Sequence, residues 1–440
     1  MSKQSLTKDV GRVATLSALS MSLAVFAPSS AQAQQALEVF LAGAETHAFD
    51  VREAELAREQ ARSQVDEARA RWLPSVSASG GYTRNEVAVD VTIPVSATET
   101  RQATITPIDQ LDLTLQLNVP IIDVASWLNF ASSERSADAA SLREESTRLE
   151  VQLAVVTAYH QVVATRALRD AAVRSREAAS ASLERARARL EAQLASDLEV
   201  ARAESEVARA DQQIADAELQ VSLGERTLFV LTGVRPTDES ASLAPDLSPL
   251  APLAGFASGV DGLPNVRASE ADAASASVAR DAAWAAFVPV VSGFARERIT
   301  NAAGFGPSAI WALGLQATFT LDFLRPAQVG TRERALELAS LRAERARVDA
   351  ETRIDEAWHR VQSNLARVRA AESQVAAAER ARQVALTRYE ANLGTQLDVF
   401  IADRDGFTAQ AALIQASADL AVARASLRAR SEGVVTGGAR

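Results

Sequence analysis

The chain has 440 residues, 46 Lys and Arg against 56 Asp and Glu, and a formal net charge of −10. This acidic balance leaves no electrostatic footprint for nucleic acid. Cysteine is absent, which excludes disulfides, thiolate metal sites, a cysteine nucleophile and a lipid-modified cysteine.

The N-terminus predicts export. Lys3, Lys8 and Arg12 form a basic segment, residues 13–27 (VATLSALSMSLAVFA) an apolar one, and Ala31-Gln32-Ala33 a cleavage site. Residues 1–33 therefore read as a signal peptide. The apolar run, about 15 residues, is too short to span a bilayer comfortably as a helix. Cleavage removes three cations and one anion, moving the net charge from −10 to −12. No other segment reads as a transmembrane helix, so the mature chain is either periplasmic or inserted as strands.

In the first half, 34–235, strands are expected near 75–122. A weak one begins just after Trp72-Leu73-Pro74, near 75–92, and residues 93–110 read as a loop. Leu111, Leu113, Leu115, Leu117 and Val119 then alternate with Asp112, Thr114, Gln116 and Asn118, the period of a strand with one apolar face. Neither Pro nor Gly occurs over 121–223, where strong helix formers dominate. Leu142, Leu149, Val156 and Val163 recur every seven residues, the seam of a left-handed coiled coil. A long helical hairpin is expected over 128–232, with about 60 residues, or roughly 90 Å, before its tip.

Pro236, Pro245, Pro249, Pro252 and Pro264 mark 236–264 as a linker. The second half, 265–434, repeats the order. Strands are expected near 288–323: a weak one at 288–298, a loop at 299–309, then a stronger one. In the stronger strand Trp311, Leu313, Leu315, Ala317, Phe319 and Leu321 alternate with Ala312, Gly314, Gln316, Thr318, Thr320 and Asp322. Residues 331–393 again lack Pro and Gly, and Leu341 with Val348, then Ile354, Val361 and Val368, recur every seven residues. A second long hairpin is expected over 328–432.

The halves match directly. Residues 157–160 (TAYH) pair with 356–359 (EAWH), and 189–200 (RLEAQLASDLEV) with 388–399 (RYEANLGTQLDV), both at an offset of 199. Solenoid units run about 20–50 residues, so this is a duplicated half-protein. It points to a symmetric scaffold, not an asymmetric catalytic cleft.

Transmembrane strands need about 9–11 residues with apolar-out, polar-in alternation. The alternative is a small soluble sandwich with one wet face. Alternation alone does not separate the two; the signal peptide and long helices favour the membrane. Four strands cannot close a barrel, and open edges are not tolerated in lipid. Three chains would pool twelve strands. Leu113, Leu115, Leu117, Trp311, Leu313 and Phe319 are then the residues expected to face lipid.

On these elements the chain resembles the TolC-like outer-membrane efflux protein family over essentially its whole mature length. The resemblance rests on the duplicated strand–strand–hairpin order, on residues 115–123 (LQLNVPIID) and on the tip motif at 388–399. Two departures stand out. The family usually has Gly where this chain has Gln193 and Asn392. It also shows an aromatic, Asp and two glycines after the strand, where this chain has Asp123-Val124-Ala125.

The resemblance implies a mixed fold of antiparallel coiled-coil hairpins and four transmembrane strands per chain. It implies a homotrimer with a 12-strand β-barrel in the outer membrane and an α-helical tunnel across the periplasm. It implies the exit duct of a tripartite efflux or type I secretion system, with a periplasmic adaptor (membrane fusion) protein and an RND or ABC inner-membrane transporter. No cofactor and no chemistry of its own are implied. The soluble alternative is a periplasmic coiled-coil spacer, which would not depend on detergent.

Candidate functional residues cluster at the hairpin tips, marked by Gln193 in one repeat and by Asn392 and Gly394 in the other. Asp398 and Glu199 occupy equivalent positions just past the tips, and Asp197 lies beside Glu199. Acidic rings favour cations at a pore entrance; acids in a first helical turn also simply complement the macrodipole. Tyr389 sits in the last turn before a tip, where the family often places a gating hydrogen bond. Packing is the weightier reading, since its repeat mate Leu190 cannot bond. His47, His160 and His359 are the only histidines and lack the spacing of metal ligands. No catalytic triad can be nominated.

Overall fold

The computed structural model describes residues 30–96, 98–237 and 244–435. The expected signal peptide lies outside the described residues up to residue 29. Among the described residues no helix is long and apolar enough to cross a membrane.

Two short helices lead in, α1 (Ser30–His47) and α2 (Phe49–Ala70). Strands β1 (Ser75–Arg84), β2 (Val89–Pro94), β3 (Thr100–Thr106) and β4 (Asp109–Ile122) follow. The first hairpin is α3 (Val124–Glu191) with α4 (Asp197–Thr232). A short α5 (Leu253–Ala257) and α6 (Pro264–Ala285) precede β5 (Val290–Thr300) and β6 (Ala309–Thr318). The second hairpin is α7 (Leu324–Glu390) with α8 (Gln396–Glu432). At 68 and 67 residues, α3 and α7 are rods of roughly 100 Å at 1.5 Å per residue.

The rods start cleanly because the local chemistry allows it. Asp123 caps α3: its carboxylate accepts from the Ser126 backbone N–H at 3.0 Å and from the Ser126 hydroxyl at 2.6 Å. Gly233 and Gly433 close α4 and α8 at φ 69° and 68°, a left-handed conformation that suits glycine.

Each rod is about twice the length of its partner, and this decides its core. Antiparallel pairing lets α8 cover only the tip-ward half of α7. There Ile354, Val361 and Val368 of α7 are buried against Leu420 and Leu427 of α8. The other half of α7 has no such cover. Leu341 and Val348, expected in the same heptad seam, are 62% and 54% exposed. The heptad is real, but within one chain the surface it would bury against is missing.

Helices α2 and α6, in stretches the sequence reading left unassigned, pack on the uncovered half of α3, and α6 also reaches α7. Buried Glu144 of α3 pairs with Arg58 of α2 at 3.2 Å and with Arg148 one turn along α3 at 2.8 Å, and Arg148 reaches Glu55 of α2 at 2.5 Å. From residue 247 on, the Pro-rich linker is packed. Leu247, Leu250, Leu253 and Phe256 pack on the α7–α8 core, and the Trp358 indole N–H donates to the Ala251 carbonyl at 2.9 Å.

The main sheet is antiparallel, in the order β1-β4-β5-β6. β4 joins the two halves by pairing β1 on one side and β5 on the other. β1 and β6 are free edges. Residues 93–110, expected to be a loop, instead hold much of a second hairpin, β2–β3. The alternation Val89, Val91, Ile93 carries strand propensity there, and the turn closes by a Val95 N–H to Glu99 carbonyl bond of 2.8 Å.

The sheet is inside-out compared with a soluble protein. Along β4 the apolar residues Leu111, Leu113, Leu115 and Leu117 are exposed, while the intervening polar ones are more sheltered. Register places Val76, Ala295, Leu313, Trp311 and Leu315 on the same apolar face. Trp311, Leu313 and Leu315 are 75–78% exposed. Glu297 interrupts this face between Leu115 and Trp311, and Arg84 with Asp109 ends it at the far end of the β1–β4 pair. Phe319 falls just beyond the end of β6. Aromatic rings gather where strands meet helices: Trp72 against Phe130 at 4.7 Å and Trp127 at 6.5 Å, and Trp284 against Phe287 at 6.0 Å.

Both hairpin tips turn through one non-glycine residue in the left-handed region, Gln193 and Asn392, each at φ 58°. The backbone bonds match: Gln193 N–H to Leu190 carbonyl and Leu194 N–H to Arg189 carbonyl in one, Asn392 to Tyr389 and Leu393 to Arg388 in the other. This is the paired C-terminal cap that glycine usually serves. Asn accepts it readily, whereas Gln pays about 1–2 kcal/mol. Gln193→Gly should therefore stabilise the first tip by about 1 kcal/mol, slowing amide exchange there about fivefold. Asn392→Gly should do less. Hydrogen-exchange mass spectrometry of the two tips checks this.

Candidate functional site: the hairpin tips

The tips bring together residues about 200 positions apart. In the second tip Thr395 and Asp398 form a capping box. The Asp398 carboxylate accepts from the Thr395 backbone N–H at 2.9 Å and from its hydroxyl at 2.8 Å, and the Asp398 N–H donates back to that hydroxyl at 3.3 Å. The first tip has no such box, because Ser196 makes no side-chain cap bond. Its position equivalent to Asp398 is Glu199, which is free to reach elsewhere.

Glu199 reaches across to the other repeat. The Tyr389 hydroxyl donates to its carboxylate at 3.4 Å. The Tyr389 ring is buried, and the Arg189 guanidinium lies 4.8 Å from its centroid. Arg189 also donates to the Asn392 side-chain carbonyl at 2.6 Å. The two tips thus exchange contacts in both directions. Burial pushes the Tyr389 hydroxyl pKa up, and the Glu199 carboxylate adds to this. Tyr389 is thus packed and hydrogen-bonded at once.

Each contact is weak. A 3.4 Å bond is long, and a cation–π contact contributes about 0.5–1 kcal/mol at an exposed site. Asp197 opens α4 and is exposed, outside this network. Asp403 is bound to Arg382 at 2.7 Å, so it is not a free acid. Asp405 meets only Arg404, at 4.0 Å. Sequence reasoning gave Arg189 no role. Its signal was there, since Arg189 and Arg388 open the repeated tip motif, but its partners lie in the other repeat. Gly394 lies close against Arg388, where a Cβ would stand 3.2 Å from that side chain.

The histidines form no shared site. His160 is largely buried, which lowers its pKa; His359 faces Asp355 at 3.7 Å; His47 sits under Gly233.

Rods of roughly 100 Å, joined to strands whose apolar side faces outward, define a membrane-embedded duct protein with a long extramembrane reach. The chain belongs to the outer membrane efflux protein family, which matches residues 41–234 and 262–431. It is an outer-membrane exit duct, and its helices extend into the periplasm.

No curated protein matches the sequence. Solved structures match the fold. The Campylobacter jejuni CmeC outer membrane channel is similar at 16% identity and TM-score 0.76, over 98% of this chain and 96% of that one. The Vibrio cholerae outer membrane protein VceC is similar at 20% identity and TM-score 0.73, over 92% and 97%. The open state of the Neisseria gonorrhoeae MtrE channel is similar at 16% identity and TM-score 0.71, over 90% and 88%.

The capping box sets a pH dependence. Hydrogen bonds from the Thr395 backbone and then its hydroxyl lower the Asp398 pKa. A carboxylate with a depressed folded pKa contributes fully above its unfolded value, about 3.9, and loses that contribution as pH falls through the lower folded value. Asp398→Asn should reduce protection of the first turn of α8 at pH 7, and the difference from wild type should close as pH falls below the unfolded value and through the depressed folded one. Hydrogen exchange of both chains across pH reads this.

Proposed function

We propose that this chain works as a homotrimer, its three sheets closing one twelve-strand barrel and its hairpins lining a periplasmic tunnel. The observation that carries the reading is a four-stranded sheet with an exposed apolar face and two unpaired edges, β1 and β6. In hydrocarbon each unpaired backbone group costs several kcal/mol, and closure with copies of itself satisfies them all. Leu113, Leu115, Leu117, Trp311, Leu313 and Phe319 then face lipid, and the strand–helix junction rings mark the inner interface. A signal peptide of residues 1–33 is removed on export.

The tips form the periplasmic entrance. The duct carries out no chemistry, and cargo reaches it from an RND or ABC inner-membrane transporter through a periplasmic adaptor. The Arg189–Asn392 and Tyr389–Glu199 contacts hold the entrance narrow, and Glu199, Asp197 and Asp398 give it an acidic rim. A soluble spacer is the weaker reading, because it would leave the apolar face of the sheet in water.

Cross-linking in detergent should give a three-chain species; a chain that is only monomeric or dimeric would refute the trimer. Leu115→Arg should block outer-membrane assembly, since Arg at mid-bilayer costs about 2–4 kcal/mol, while Gln116→Arg on the other face should assemble. Arg189→Ala combined with Tyr389→Phe should raise single-channel conductance in planar bilayers without changing trimer yield. Unchanged conductance would remove these two residues from the entrance.

A further inference from the structure

The polar face of the main sheet carries a charge pattern that the tips do not explain. Among its described residues, register puts three charged side chains on this face: Asp112 on β4, and Arg296 and Arg298 on β5. Arg298 is spent. Its guanidinium donates to the Asp112 carboxylate at 2.7 and 3.0 Å. Arg296 is not. It stands opposite neutral Gln116 on β4 and Ala312 on β6, with Ser77 next in the row on β1. It is exposed and makes no ion pair or hydrogen bond among the described residues.

We infer that Arg296 forms a ring of three free guanidinium groups inside the barrel, an anion-binding collar for acidic groups on passing cargo. The inference rests on the trimer reading above. Each chain contributes one unpaired cation at the same level of the lumen, since the only carboxylate on this face is already neutralised by Arg298. The small side chain of Ala312 leaves the space beside Arg296 open. Guanidinium is the geometry that binds carboxylate and phosphate through paired N–H donors, and arginine rings select anions in pores. In a chain of net charge −10 this collar runs against the overall sign. It is also opposite in sign to the acidic tips. The duct therefore presents two filters in series, one favouring cations at the periplasmic mouth and one favouring anions in the barrel.

The test uses full-length trimers in planar bilayers, with tripolyphosphate as the probe on the barrel side. Wild type should show block by the probe that is strong near 0.01 M salt and fades near 1 M, where the screening length falls from about 30 Å to about 3 Å. Arg296→Gln should weaken that block about tenfold or more and shift the reversal potential in a KCl gradient toward cations. Arg296→Lys should keep most of it. Gln116→Glu, which sets a carboxylate opposite Arg296 and leaves the arginine in place, should reproduce the loss. Conducting trimers whose selectivity and block are unchanged in both Arg296→Gln and Gln116→Glu would overturn the collar alone. A chain that never forms trimers would overturn the collar together with the duct.

Discussion

A β-strand in hydrocarbon must have every backbone N–H and C=O paired, and the architecture of this protein follows from that requirement. The sheet β1-β4-β5-β6 satisfies its inner strands and leaves its outer ones open. Its apolar side chains point away from the sheltered face, the reverse of a soluble sheet. Both features are liabilities in water. Both disappear if the edges meet other copies and the apolar face meets lipid. Glu297 strains this arrangement, sitting on the apolar face between two large hydrophobic residues, and nothing in the structure explains it.

The helices solve a different problem, that of reach. A duct crossing an aqueous compartment needs long walls with little internal core, and a coiled-coil hairpin supplies them cheaply in sequence. Its cost is visible in α7, where half the heptad seam has no partner within the chain. Small satellite elements offset part of that: α2 and α6 cover the rods near the membrane, and the Pro-rich strap covers α7 and α8. The tips remain the least supported region. They are held by caps and by a few weak contacts between the repeats.

Charge is distributed by position, not by composition. The net charge is acidic, yet among the described residues the single unpaired charge on the polar face of the sheet is Arg296. Two carboxylates that look alike in the duplicated motif do different work. Asp398 is consumed by its own capping box, and Glu199, lacking one, reaches the opposite repeat.

Much of this was legible in the sequence because it lies within single elements. Period-two alternation marked β4 and β6, the absence of Pro and Gly marked the rods, and the offset of 199 marked the duplication. The β2–β3 hairpin was missed because its prolines and threonines also suit a loop, and α2 and α6 lacked a distinctive signal beside the long rods. Periodicity reports which face of an element is apolar, but not which surface that face meets. Only the tertiary structure therefore decided that Leu341 and Val348 are exposed while Val361 and Val368 are buried. It alone joined Arg189 to Asn392, Tyr389 to Glu199 and Arg298 to Asp112, and it left Arg296 unpaired. Each of those pairs spans 186 to 203 residues, and their meeting depends on register and on how the two halves dock.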